Sequence, residues 1–117
     1  MILHILASGS ERNGYILTNE KESLLIECGV KLSTVKKSLG YNMSSIVGCL
    51  LSHSHNDHSG YVMSYLNAGI TVMMSQETMN EKEIAHNTHF VRTVLPGRGY
   101  KAGNFRIIPF LGYHDVV

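Results

Sequence analysis

Residues 51–60 of the chain read LSHSHNDHSG, and this segment places three histidines and one aspartate within six consecutive positions. The four side chains are His53, His55, Asp57 and His58. A neutral imidazole nitrogen binds zinc at about 2.0 to 2.1 Å, so several histidines have to converge on one point. Residues two apart on an extended backbone can project to the same side, and the turn that follows can direct Asp57 and His58 to a neighbouring point. The segment therefore predicts two adjacent metal positions.

The donor atoms of this segment indicate which ions it would take. Imidazole nitrogen combined with hard carboxylate oxygen suits zinc, manganese or iron, and the segment has no thiolate that would select copper(I). In a chain of this composition the pattern His-x-His-x-Asp-His would arise by chance roughly once in a few thousand sequences. A polar loop with coincidental histidines is the alternative, but three clustered imidazoles have little structural use.

The composition indicates a single globular domain over residues 1–117. Apolar residues make up 44% of the chain and charged residues 16%, which is ordinary for a globular protein. No apolar run approaches the roughly 20 residues that cross a bilayer, and the start MILHILASGS lacks the basic leader of a secretory signal. We therefore expect a cytoplasmic protein without a membrane segment, in which Cys28 and Cys49 are reduced, buried and inert.

The distribution of charge is nearly even, with one local exception. The formal net charge of +1 by itself favours neither nucleic acid nor a membrane as a partner. Between Glu83 and Asp115, however, the chain has no acidic residue but has four cations: Arg92, Arg98, Lys101 and Arg106. This window could favour an anionic substrate. The simpler interpretation is that the cations are scattered over a solvated surface.

The order of secondary structure elements predicts an α/β (α+β) fold. Strand patterns are found at residues 1–6, 14–18, 23–27, 47–51, 70–74, 90–94, 99–103 and 104–110. Helical patterns are found at residues 31–40, 60–69 and 75–83, the last with Ser75 or Thr78 as a possible cap. Strands that alternate with helices, without an internal repeat, fit a layered α/β architecture.

The histidine segment also carries a family resemblance. His53-Ser54-His55-Asn56-Asp57-His58 resembles the His-x-His-x-Asp-His signature of the metallo-β-lactamase superfamily, which lies between a strand and a helix. SGSERN resembles the Ser-Gly-Ser turn of the nuclease-like branch, LLIECG the segment that usually holds aspartate and glycine, and YHDVV the segment that supplies a third histidine. The resemblance covers the chain but only the first half of the family domain. It implies about one half of an αβ/βα sandwich, a mixed sheet with flanking helices.

The resemblance further implies a set of ligands. His53, His55 and His114 would form the first metal site, and Asp57 with His58 would begin the second. Asp57 would also be the catalytic residue that orients the attacking water, and Glu27 would hold the histidine loop from behind. The bridging aspartate and last histidine of the superfamily's second half have no counterpart in this sequence. We therefore expect one or two bound ions, with one well occupied.

Three functions are compatible with these features. The first is a metal-dependent hydrolase with a metal-activated water, acting on an anionic phosphodiester such as nucleic acid rather than on a β-lactam. The second is a catalytically incomplete metal-binding half-domain that acts through dimerisation or a partner, because a sheet built to pack against a second sheet exposes an apolar face. Its partner would be a second copy or a missing C-terminal half. The third is a zinc-stabilised structural domain, which a chelator would unfold.

Overall fold

A computed structural model of the chain describes residues 1–110, so the predicted ligand His114 lies outside the described residues. Within this range the strands are β1 (Ile2–Ala7), β2 (Gly14–Thr18), β3 (Ser23–Ile26), β4 (Ile46–Leu50), β5 (Val72–Met74), β6 (Val91–Thr93), β7 (Tyr100–Ala102) and β8 (Phe105–Ile107). The α-helices are α1 (Leu32–Ser38), α2 (Asn56–Ser59), α3 (Val62–Asn67) and α4 (Gln76–Glu81), and a 3₁₀ turn spans Met43–Ser45.

Six of the strands form one mixed sheet in the order β1-β2-β3-β4-β5-β6. Strands β1, β2 and β3 pair antiparallel, whereas β3, β4, β5 and β6 pair parallel. Strands β7 and β8 form a separate antiparallel hairpin. Because β3, β4 and β5 are parallel, their carboxyl ends share one edge of the sheet, and open α/β sheets bind ligands outside that edge. The residues that follow β3 and β4 therefore lie at the edge of the sheet where a ligand would bind.

The predicted α/β class is confirmed, and each predicted strand and helix is present: β2 has the predicted bounds, and the others are shifted or shortened. The histidine segment differs from the prediction, because the turn expected after His55 contains the short helix α2. The capping alternative at α4 is resolved in favour of Ser75, whose hydroxyl accepts the backbone N–H of Thr78 at 3.1 Å. No helix among residues 1–110 is long and apolar enough to cross a membrane.

Helices α1, α3 and α4 cover one face of the sheet, which we call the helix-covered face. Its core joins strand side chains to helix side chains, among them Ile16, Leu25, Val72, Met74, Val35, Tyr65 and Met79. Tyr65 is fully buried, and its hydroxyl donates to the carbonyl of Val30 at 2.8 Å. Removing this apolar surface from water is the main stabilising contribution available to the fold.

The β7–β8 hairpin covers only part of the opposite face. Its buried side chains Ala102 and Phe105 pack on Leu24 and Met73 of the sheet, which are also buried. Leu3 of β1 also lies on this face because it pairs directly with Leu17. Leu3 is 54% exposed, and Ile5, two residues further along β1, is 65% exposed. Leu3 and Ile5 thus form an open apolar strip.

Cys28 and Cys49 are both free and buried, as predicted. The fold brings their sulfur atoms to 3.4 Å, although 21 positions separate them in sequence. Burial raises the pKa of the Cys49 thiol, and the hydrogen bond with Cys28 raises it further. Because the thiolate is the reactive form of cysteine, Cys49 is expected to be unreactive in the native protein.

Candidate metal centre

The histidine loop, residues 52–58, follows β4 at the carboxyl edge of the sheet and is tied to the end of β3. The backbone N–H of Glu27 donates to the carbonyl of Leu50 at 2.7 Å, and the N–H of Cys28 donates to the carbonyl of His58 at 2.6 Å. Glu27 has a φ of 68°, a left-handed conformation that is uncommon for a residue other than glycine. Backbone strain of this kind concentrates at functional sites.

Both carboxylate oxygens of Glu27 hold the histidine loop. Oε1 accepts the backbone N–H of Ser52 at 2.9 Å, and Oε2 accepts the Ser52 hydroxyl at 2.5 Å. Oε2 also contacts Nδ1 of His58. Glu27 is buried, so water competes little for these bonds. The carboxylate thus acts on the loop as the resemblance implies, despite a side chain one methylene longer than aspartate.

The hydrogen bonds around Glu27 determine which ring nitrogen of His53 and of His58 points away from the Glu27 carboxylate. The Ser52 hydroxyl gives its proton to Glu27, so the 2.6 Å contact with Nδ1 of His53 has the ring donating to the hydroxyl. His58 donates from Nδ1 because a carboxylate only accepts. Carboxylates behind metal-binding histidines fix ring orientation in this way. In the neutral rings, the lone pairs of His53 and His58 are then on Nε2.

The three histidine rings of the loop lie side by side. The ring centroids of His53 and His58 are 3.8 Å apart, and those of His53 and His55 are 5.0 Å apart. Burial lowers the pKa of His53, and the adjacent His58 lowers it further. Neutral imidazole is the form that binds metal. The loop therefore favours the metal-binding state of His53 at neutral pH.

Asp57 and His58 face each other in an arrangement that suits a cation. Oδ2 of Asp57 lies 3.1 Å from Nε2 of His58. Both atoms are acceptors when the His58 proton is on Nδ1, so they repel unless a donor or a cation lies close to both. The side-chain amide of Asn13 lies 3.1 Å from Oδ2 and 3.3 Å from Nε2 and offsets part of that repulsion. Imidazole nitrogen and carboxylate oxygen are ligands that zinc accepts, so these donors fit the implied ion.

Asn13 is a site residue that the sequence analysis did not single out. It belongs to the SGSERN turn, which the resemblance placed in the nuclease-like branch, and that motif was the available signal. Its backbone N–H donates to the carbonyl of Asp57 at 2.7 Å, and its carbonyl accepts the N–H of Gly29 at 3.0 Å. A Cβ at Gly29 would lie 2.1 Å from the Asp57 carbonyl oxygen. Only glycine at position 29 allows the backbone of this segment to approach the backbones of Asn13 and Asp57 so closely.

Helix α4 supports the outer side of the histidine loop. The Ser54 hydroxyl donates to Oε1 of Glu81 at 3.0 Å, and the Lys82 ammonium donates to Oδ1 of Asn56 at 3.3 Å. Directly after the loop, the buried Ser59 hydroxyl donates to the carbonyls of Ser54 and His55. The loop is therefore held by Glu27 at the end of β3, by α4 and by the Ser59 hydroxyl.

The structure brings most of the predicted ligands together. His53, Asp57 and His58 converge at the sheet edge, and the exposed His55 lies beside His53. In the described part of the chain, an oxygen of Glu27 and one ring nitrogen each of His53 and His58 lie within 4.8 Å of one another and could hold an ion. Both oxygens of Glu27 already accept hydrogen bonds from the loop, so Glu27 also supports the loop.

Solved structures with metallo-β-lactamase folds align with the chain. The metallo-β-lactamase fold protein YhfI from Bacillus subtilis has a TM-score of 0.70 and 21% identity, over 97% of this chain and 54% of that chain. The Rm3 metallo-β-lactamase has a TM-score of 0.68 and 16% identity, over 89% and 46%. Human tRNase Z, short form (ELAC1), has a TM-score of 0.57 and 17% identity, over 80% and 44%. The predicted metallo-β-lactamase fold is confirmed, and the chain spans about half the length of these structures.

Sequence comparison gives the family. No curated protein sequence matches the chain at a significant level. The sequence profile of the family described as Anti-Pycsar protein Apyc1 matches residues 7–91. This span runs from the end of β1 to the start of β6 and includes the SGSERN turn, Glu27 and the histidine loop. The chain belongs to the Anti-Pycsar protein Apyc1 family.

Proposed function

We propose that the chain carries the metal-binding half of a metal-dependent hydrolase that cleaves phosphodiester bonds in a nuclease-like manner. The supporting observation is the convergence of His53, Asp57 and His58 at the carboxyl edge of the sheet, with their orientation fixed by Glu27 and Asn13. Zinc is the proposed ion, and manganese or iron would suit the same imidazole and carboxylate donors.

Each side chain of the loop has a proposed role. Nε2 of His53 would hold the first ion together with His55 and His114, and Nε2 of His58 with a carboxylate oxygen of Asp57 would begin the second site. When bound, a divalent cation acidifies a water molecule and polarises the phosphoryl group under attack. Asp57 would orient that water, and the amide of Asn13 at 3.1 Å keeps its carboxylate in place. Glu27 keeps the rings of His53 and His58 turned toward the ion.

Two features favour a phosphodiester over a β-lactam as the substrate. The SGSERN turn resembles the nuclease-like branch of the superfamily, and in the structure this turn brings the Asn13 side chain against Asp57. The Apyc1 family membership supports a hydrolase of some kind, and the family's name states an action against Pycsar. We extend that action to this chain as part of the proposal.

The direct test is hydrolysis of bis(p-nitrophenyl) phosphate by chelator-treated protein to which zinc or manganese is returned. We expect nitrophenolate release that requires the ion and is lost in His53→Ala and in Asp57→Asn, with no cleavage of the β-lactam nitrocefin. His86→Ala, which removes an exposed histidine outside the loop, is the matched control and should retain activity. Turnover that survives His53→Ala would contradict the proposal.

A second candidate is a metal-binding module that is inactive without another α/β layer. It is favoured by the open apolar strip of Leu3 and Ile5 and by the half-length match to the solved structures. The missing layer would be a second copy of the chain or the second half of the fold. Light scattering combined with metal analysis distinguishes the two candidates. A metal-loaded chain without turnover favours the module, whereas turnover by a metal-loaded monomer excludes it.

A further inference from the structure

A second cleft lies away from the metal centre, beside β6 and the β7–β8 hairpin. Its volume is about 410 Å³, which falls within the usual range of small-molecule sites. Its walls come from Arg92 of β6 and from the hairpin residues Tyr100, Lys101, Arg106 and Ile107. The metal centre, by contrast, is built from the residues that follow β1, β3 and β4. The two sites therefore use different parts of the fold.

Three cations line this cleft without acidic partners. Within residues 1–110, Arg92, Lys101 and Arg106 form no ion pair with a carboxylate. Lys101 and Arg106 are directly opposite each other in the β7–β8 ladder, so their side chains leave the hairpin on the same side, away from the sheet-facing Tyr100 and Ile107. Like charges at such positions destabilise a strand pair. An anion bound near both side chains would remove this repulsion.

Arg92 is held in place by two contacts with the hairpin. Its guanidinium carbon lies 5.1 Å from the centroid of the Tyr100 ring, and its Nη1 donates to the carbonyl of Lys101 at 3.4 Å. A guanidinium fixed in this way has further N–H groups left for a ligand, and its planar fork matches the oxygens of a phosphate. Ile107 adds an apolar wall to the same cleft.

We propose that this cleft binds phosphate groups, either of a free nucleotide or of a nucleic-acid strand. Lys101 and Arg106 on the outer side of the hairpin, with Arg92 beside it, match a ligand with more than one phosphate. Arg98, the fourth cation of the acid-free window, lies in the turn between β6 and β7 and does not line the cleft. The inference goes beyond the proposed hydrolysis, because binding at this cleft requires no metal.

The test is fluorescence anisotropy of a labelled single-stranded oligonucleotide, with inorganic triphosphate as a competitor and with chelator present throughout. Lys101→Ala, Arg106→Ala and Arg106→Gln should each weaken binding about tenfold, because each removes a charged contact to phosphate. Arg98→Ala removes the same charge outside the cleft and should change the affinity less than about twofold. His53→Ala should bind the oligonucleotide as tightly as the unaltered chain does. Binding at the cleft can therefore be measured even if the hydrolase proposal fails.

The competitor distinguishes the two sources of phosphate. Displacement of the oligonucleotide by triphosphate supports a site for free nucleotides, and an oligonucleotide that resists displacement but is released by Arg106→Gln supports a nucleic-acid strand. Equal losses of affinity in Arg98→Ala and Arg106→Ala would overturn the proposal, since binding would then follow net charge alone. Absence of binding by the unaltered, folded chain would overturn it as well.

Discussion

The two faces of the six-stranded sheet differ in how completely the chain covers them. On the helix-covered face, Ile16, Val72 and Met74 are 0% exposed, whereas Leu3 and Ile5 on the opposite face are more than half exposed. Both faces are built from apolar side chains, because alternate residues of the strands point to opposite sides. The chain thus buries the centre of the helix-covered face by itself and leaves a strip of the second face open. At the edge strand β1 the helix-covered face is also open, since Ile2 is 62% exposed.

The largest expected effect concerns Tyr65, in the core of the helix-covered face. Tyr65→Ala should lower the free energy of unfolding by about 3 to 5 kcal/mol, because it leaves a cavity under α3. The matched change on the opposite face, Leu3→Ala, should cost less than about 1 kcal/mol. Urea denaturation of both variants measures the difference. Similar losses in the two variants would show that the faces are equally well packed.

The second prediction concerns Gly29, where the helix-covered face meets the histidine loop. Gly29→Ala should destabilise the fold by about 3 kcal/mol and abolish metal binding, because the new Cβ would lie 2.1 Å from the Asp57 carbonyl oxygen. Gly9→Ala is the control in the adjoining turn, since a Cβ there meets nothing within 4 Å. Thermal unfolding and zinc titration provide the readouts. A Gly29→Ala protein as stable as Gly9→Ala would show that this backbone junction is not tight.

The third prediction compares thiol reactivity on the two faces. Cys49 is buried and its pKa is raised, so its reaction with Ellman's reagent at pH 8 should be about 100-fold slower than that of a cysteine placed at the exposed position of Ile5. The rate of thiol modification is measured for Ile5→Cys and for the unaltered chain. The same proteins unfolded in urea give the maximal rate for comparison. Fast modification of Cys49 in the folded protein would indicate that the helix-covered face opens readily.

The smallest expected effect concerns the open strip. Ile5→Ser should change the free energy of unfolding by no more than about 0.5 kcal/mol, because the side chain is already mostly in water. If another α/β layer docks on this strip, the same substitution should weaken that association. Sedimentation of the unaltered chain and of Ile5→Ser measures it. A clear loss of monomer stability in Ile5→Ser would mean that the strip is buried in the monomer.

Much of the fold could be predicted from local patterns. The strands and the helices α1, α3 and α4 follow from alternation, helical spacing and glycines, which act over a few residues. The histidine segment was recognisable because its donors are rare at such spacing. Helix α2 was missed because its four residues, Asn56–Ser59, are too few to show a helical period.

The remaining features depend on contacts between distant positions. Asn13 reaches Asp57 across 44 residues, and the contact of Cys28 with Cys49 spans 21. A single sequence carries no signal for either pairing. Likewise, the four cations of the acid-free window were visible as a group, but only the structure shows that Arg92, Lys101 and Arg106 line one cleft and that Arg98 does not.

The account depends above all on the histidine loop binding a metal ion, and zinc titration followed by elemental analysis of the purified protein measures this directly. We expect the unaltered chain and His86→Ala to retain zinc, and the double variant His53→Ala/His58→Ala to retain none while remaining folded. Zinc uptake that is unchanged in the double variant, or no uptake by the unaltered chain at saturating zinc, would contradict the account.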